Sequence, residues 1–370
     1  MATKLKKVDG PLQFITATLS IVGFFIFISA SLGLLARGTV SITSIIVNQF
    51  FLGLVLGTIA LLMLSKIKYT FWRAYALHIF VASSLLTLCV FLPVIGLSLK
   101  GATRWVSLGF ITFQPSEILK YATILFSASF LAGNTKNIST STLWALGSLG
   151  GILTLPGVLL ILEPDIDVLL IICASVGALF FAAGMRWRDA LMVVGCGLLL
   201  LSVALILKPH AYQRVTTFLN PTADVLGSGY QVHQSLIAVG SGGIFGRGFG
   251  QSVQKFGYLP EPIGDTIFAV YAEEFGFFGS LILLGLFLAF FIRGCMIAIR
   301  AADLFGTLLA LGITLLITLQ SLLNISAIIA LLPLSGNPLI FVSHGGTALC
   351  ISLGAVGVLL NISRYTAKKY

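Results

Sequence analysis

Residues 11–35 read PLQFITATLSIVGFFIFISASLGLL, a run without one Asp, Glu, Lys or Arg. About 20 consecutive apolar residues carry a helix across the ~30 Å hydrocarbon layer of a bilayer. Lys4, Lys6 and Lys7 precede the run, as in a secretory signal, but it is too long for one and lacks a small-residue cleavage site. It reads as a retained first span. Working outward, similar runs occur at 44–65, 73–96, 115–133, 142–162, 165–184, 188–207, 267–292, 303–329 and 345–363. The expectation is an all-α polytopic membrane protein, residues 1–370 forming one integral membrane domain with about ten transmembrane helices.

Composition agrees. The 370 residues are 58% hydrophobic and 9% charged, with a mean hydropathy of +1.06, whereas soluble domains carry about a quarter charged residues. A disordered chain and an acidic tail are excluded on the same grounds. The net charge of +10 comes from basic residues scattered singly, so no nucleic-acid stripe exists. With the N-terminus in the cytoplasm, 14 Lys and Arg fall on the cytoplasmic side. Seven fall outside: Arg37, Lys100, Arg104, Lys208, Arg214, Arg247 and Lys255. That asymmetry obeys the positive-inside rule and places both termini in the cytoplasm. Trp72 and Trp187 sit at cytoplasmic span ends, where an indole keeps its N–H wet. The five cysteines stand alone in apolar runs, with no Cys-x-x-Cys spacing. They read as packing residues.

One connection is polar and long: residues 208–266, rich in Gly and Pro, form an extracytoplasmic loop between the seventh and eighth spans. Val232, Leu236 and Val239 at i, i+4 and i+7 predict a short amphipathic helix within it, lying at the membrane surface.

Ionisable groups inside a membrane are costly and functional by default. Glu117 and Lys120 share a face one turn inside the fourth span; they either neutralise one another or line a polar cavity for an anionic head group. Arg104 and Trp105 lie at the outer surface, where Arg grips phosphate bidentately and Trp either stacks on a sugar or anchors in the interface. Asp165 either caps the sixth span or, with Asp167, holds a divalent cation. The glycines of 240–250, with Arg247 and Lys255, permit close backbone approach to a phosphate, although neither nucleotide-loop spacing is present. Asp265, behind the rigid turn Leu259–Gly264, is either an N-cap or a general base at the mouth of a membrane cavity.

The stretches Lys100–Trp105, Gln114–Glu117, Gly227–Gln231 with Gln234 and Ser235, Gly240–Gly250, Lys255–Asp265, Glu273–Gly276 and Leu332–Gly346 resemble the SEDS proteins of shape, elongation, division and sporulation. The match runs over nearly the whole chain and is closer to the division-type members than to the elongation-type ones. The resemblance implies a ten-helix glycosyltransferase of the bacterial cytoplasmic (inner) membrane. Its members polymerise lipid II, the undecaprenyl-pyrophosphate-linked peptidoglycan precursor, beside a class B penicillin-binding protein and other division proteins. Asp265 matches the family's essential aspartate; Trp105, Glu117, Lys120 and Asp165 match positions of the outer site or central cavity. Three departures stand out: Ile263-Gly264 replaces His-Thr, Asp167-Val168 replaces Gly-Thr after Asp165, and His344 replaces Tyr.

On that reading Asp265 removes the acceptor hydroxyl proton, and Arg104, Lys120, Arg247 or Lys255 meet the leaving pyrophosphate. A divalent cation, Mg or Mn, is the one cofactor left open. Two rivals share the same charges: a lipid II flippase and a scaffold that activates the penicillin-binding partner without chemistry of its own. Asn361-Ile362-Ser363 matches a glycosylation sequon at a cytoplasmic helix end and receives no role.

Overall fold

A computed structural model describes residues 7–37, 42–93, 95–99, 102–107, 112–207, 214, 216–220, 227 and 229–366. Each of the ten predicted spans is a helix or a consecutive set of helices. These are α1 (Gly10–Ser31), α2 (Ile42–Asn48) and α3 (Leu56–Leu64) joined by a π-helical stretch, α4 (Tyr69–Leu88), α5 (Pro115–Thr140), α6 (Thr142–Leu162), α7 (Ile166–Ala182), α8 (Trp187–Leu207), and, after the loop helix α9 (Tyr230–Ser241), α10 (Ile267–Arg300), α11 (Leu304–Ile328) and α12 (Gly346–Ser363). Among the described residues seven spans are long and apolar enough to cross a membrane by length and composition. The Lys100–Gly101 half of one outer motif, Lys208 and Ser228 fall outside the described residues.

The helical frame carries an element the sequence reading passed over, an antiparallel sheet of β1 (Gly96–Leu99), β2 (Ala102–Ser107) and β3 (Thr112–Phe113). Its strands lie in the connection between α4 and α5. Alternation along β2 sends Arg104 and buried Val106 to one face and Trp105 to the other.

Helix α11 is the centre of the bundle: 72% of its apolar window is buried, against 22% for Ile45–Leu64. It packs on α5, α7 and α10. Gly312 lets it approach α5, since a Cβ there would meet Ile124 Cγ2 at 2.4 Å. At the N-terminal end Asp9 caps α1 through Leu12 N at 2.9 Å and binds Arg293 at 2.6 Å. Asn361 accepts from Tyr69 N at 2.8 Å and donates to Ser65 O at 2.7 Å. That buried amide ties α12 to the turn between α3 and α4, and its burial leaves the sequon inaccessible. Trp187 is exposed, but the Trp72 indole N–H is buried with no partner, a correction to the wet-indole expectation for that residue.

The predicted loop helix exists as α9, with a different inner face. Val232, Ser235 and Ala238 are buried, whereas Leu236 is 39% exposed. Close packing of α9 on α10 selects the smaller side chains.

Beyond α9 the glycines find their explanation. Helix α10 breaks at Gly276, whose φ of 66° belongs to the left-handed region that favours glycine. The break frees backbone groups that must be paired elsewhere, and the loop pairs them. Phe277 N donates to Gly243 O at 2.9 Å, Phe278 N to Ile244 O at 3.2 Å, and Arg247 N and Gly248 N donate to Glu273 O and Glu274 O at 3.0 and 2.9 Å. A Cβ on Gly276 would lie 2.3 Å from Gly246 N. At Gly242, Gly246 and Gly276 the glycine-rich loop is thus built for approach to a broken helix.

Candidate active site

The N-terminal ends of α5 and α7 and the C-terminal end of α11 gather ionisable and polar residues. Pro115 starts α5 where an N–H has no helical partner to lose. One turn in, Lys120 Nζ donates to Glu117 Oε1 at 2.8 Å and to Gln320 Oε1 of α11 at 2.5 Å. Both charged residues are buried. The pair is neutralised and crosslinks two helices. In this structure the Lys120 ammonium is engaged by these two protein partners.

Arg104 reaches the turn between α6 and α7. Its Nε donates to Glu163 O at 3.0 Å, a terminal nitrogen donates to Pro164 O, and the other lies 3.8 Å from Asp165 Oδ1. Gln114 Nε2 donates to Asp165 Oδ2 at 2.9 Å. Asp165 makes no side-chain cap to α7, so its carboxylate is spent on the strand and α5. Trp105, half-buried on the opposite face of β2, stays apart from this cluster.

Asp167 turns elsewhere. Its Oδ2 accepts from Arg214 of the long loop at 2.8 Å and from Gly336 N at 3.1 Å. Two carboxylates with separate partners do not converge on one point, and among the described residues no group of three or more His, Cys, Asp or Glu could hold a metal ion. Asp165 and Asp167 are thus engaged by separate protein partners in this structure.

Half-buried Asp265 stands at the same turn. A Cβ added to Gly336 would lie 3.9 Å from Asp265 Oδ2. The helix-flanking position of α10 belongs to Thr266, whose hydroxyl donates to Pro260 O at 2.6 Å, so Asp265 precedes the cap. Residues missed in the sequence hold it: Asn324 Nδ2 donates to Asp265 O and Asn337 O, both at 2.8 Å, and Ser343 Oγ donates to Gly264 O at 2.8 Å. Gln49, in the π-helical stretch Gln49–Val55, brackets the same segment through Ser343 O at 3.2 Å and Gly345 N at 3.1 Å. Gln320 and Asn324, polar and four apart inside an apolar run, were the available signal.

Lys255 and Arg247 are not part of this cluster. Fully buried Lys255 donates to Glu274 Oε1 at 2.7 Å, Gly250 O at 2.9 Å and Ser29 Oγ at 3.0 Å, which uses all three ammonium donors. Arg247 Nε lies 3.6 Å from Glu273 Oε1. Glu273 also accepts from Ser252 Oγ at 2.6 Å and from Val253 N and Gln254 N at 3.1 and 3.2 Å. In this structure the Lys255 ammonium ties the loop to α1 and α10.

Glu163, at the turn before α7, is fully buried with both carboxylate oxygens unpartnered. Burial, then Asp165, pushes its carboxyl up to about 8 against the pull of Arg104, and burial raises Asp165 as well. Below about 4.5 the folded and unfolded chains both keep the Glu163 proton, and nothing is lost. Between about 4.5 and 8 the unfolded chain releases a proton that the folded chain keeps, so stability falls as pH rises. Glu163→Gln is expected to raise the melting temperature at pH 8, to leave it unchanged at pH 4, and to flatten the profile between. Equal profiles for both proteins would refute this.

Many apolar helices with arginine and carboxylates gathered at a loop-covered helix mouth mark a polytopic membrane protein with a polar site at one end of its bundle. The family model for cell cycle proteins of the FtsW, RodA and SpoVE type matches residues 11–368, and the chain belongs to that family, the SEDS proteins. It is 38% identical over 369 residues to stage V sporulation protein E of Bacillus subtilis, covering 99% of this chain and 100% of that protein. A probable peptidoglycan glycosyltransferase FtsW of Coxiella burnetii is 42% identical over 85% of this chain and 84% of its own length. Among solved structures, a chain from a peptidoglycan synthase complex that coordinates polymerization and crosslinking superposes with a TM-score of 0.79 at 26% identity, covering 96% of this chain and 98% of that one. RodA of Thermus thermophilus has the same fold, with a TM-score of 0.70 at 24% identity over 98% of both chains.

Proposed function

We propose that this protein is a peptidoglycan glycosyltransferase that polymerises lipid II at the outer face of the bacterial inner membrane, with both termini in the cytoplasm. The observation that carries the reading is the position of Asp265. A carboxylate stands beside Gly336, where α7, the long loop and the segment before α12 meet, in a family whose relatives include proteins named as such enzymes. Asp265 takes the proton of the acceptor sugar hydroxyl, whose oxygen attacks the donor anomeric carbon with inversion. The bond to pyrophosphate breaks and its electrons leave with that group. Pyrophosphate departs without a protein acid, so one carboxylate suffices where an inverting hydrolase uses two. Arg104 and Arg214, the part-exposed cations beside the carboxylates, meet the leaving charge. Trp105 offers a face for a sugar ring. The proposed partner is a class B penicillin-binding protein, within a division complex that includes other division proteins.

The test is labelled lipid II given to the purified protein with such a partner, its products resolved by gel. A ladder of glycan strands is expected. Movement of lipid II across vesicles without a ladder would replace this reading with a flippase. A ladder made with the SEDS protein inactivated would leave it a scaffold.

A further inference from the structure

We propose that Asp167 is a positioning residue that braces the wall of the Asp265 site, an inference that rests on the glycosyltransferase reading. One carboxylate oxygen, Oδ2, serves two segments. It accepts from Arg214, in the long extracytoplasmic loop, at 2.8 Å and from the backbone N–H of Gly336, in the segment between α11 and α12, at 3.1 Å. The helix bearing it, α7, packs against α5 and α11 in the bundle centre, whereas Gly336 lies in irregular chain and Arg214, helical like residues 216–219, belongs to the long connection. The Asp167 side chain is 18% exposed and that of Arg214 44%, and the bond between them is charge-assisted.

The consequence falls on Asp265, whose Oδ2 lies 3.9 Å from the Cβ position of Gly336. On its other side the same segment is held by Asn324, which joins Asn337 O to Asp265 O. Asp167 and Asn324 therefore clamp residues 336–337 from two helices, and the base is seated between them. Asp167 also aims the Arg214 guanidinium toward this mouth. The residue does not touch the reacting atoms; it acts through Gly336 and Arg214.

Two readouts on the full chain with its partner test this: steady-state polymerisation of lipid II, and hydrogen exchange of peptides covering 335–338 and 214–220. Asp167→Ala is expected to lower kcat about 10- to 100-fold, the cost of a misplacement near 1 Å, with a smaller change in KM, and to speed exchange at 335–338. Asp265→Asn leaves that exchange slow. Asp167→Asn is isosteric and folds where alanine does not. It keeps an oxygen for Gly336 N–H but removes the negative charge that faces Arg214, so it should recover much of kcat, with faster exchange at 214–220 only. Unchanged exchange in Asp167→Ala, or wild-type kcat in it, overturns the brace. If the wild type makes no glycan, the glycosyltransferase reading fails instead, and exchange alone decides whether Asp167 holds the two segments.

Discussion

Asp265→Asn is expected to abolish the glycan ladder, lowering the polymerisation rate by about 10²–10⁴-fold, the usual contribution of a positioned general base. The substitution is isosteric. The backbone bond from Asn324 to residue 265 is kept, and so is the Thr266 hydroxyl's hold on the preceding turn. Folding, membrane insertion and association with the penicillin-binding partner should therefore be unchanged, and a melting curve and co-purification check each. Asp265→Glu separates base strength from placement. It keeps a carboxylate but moves it by about one methylene, so a loss near 100-fold is expected. A ladder from Asp265→Asn equal to that of wild type would remove Asp265 from the chemistry.

The second large effect is on stability. Lys255→Met strands the buried Glu274 carboxylate, which Lys255 and Ser29 now satisfy, and Glu274→Gln strands the ammonium. Breaking one side of a buried ion pair costs about 3–5 kcal/mol, whereas replacing both sides by apolar groups is often nearly neutral. Each single variant should melt well below wild type in detergent, and Lys255→Met with Glu274→Leu should recover much of the difference. The contrary result is equally informative: a Lys255→Met protein with unchanged melting and lowered kcat would return Lys255 to the pyrophosphate, against its three protein partners.

The two variants separate what their segments do. Lys255 and Asp265 are ten residues apart in one loop, and both looked chemical in the sequence: a cation among glycines and a carboxylate behind a proline turn. The structure sends them to different tasks. The Lys255 ammonium is turned inward to α1 and α10, because Glu274 lies two residues before the break at Gly276 and presents a buried carboxylate there. The Asp265 carboxylate stays at the mouth, because its backbone is pinned by Asn324 of the central helix.

Sequence alone determined the membrane class, the helical runs and the short helix in the long connection. Each follows from local quantities: the length of an apolar run against bilayer thickness, and the 3.6-residue period. It also singled out Glu117, Lys120, Asp165 and Asp265, because an ionisable group in so apolar a chain is conspicuous by itself. Only the tertiary structure decided which charges face one another. Glu117 met Lys120 within one helix turn, as spacing allowed. The partners Gln320 for Lys120, Glu274 for Lys255, Arg214 for Asp167 and Asn324 for Asp265 came from tens to hundreds of residues away. A buried polar group must find a partner, and which one it finds is set by helix packing across the bundle, which no local pattern encodes.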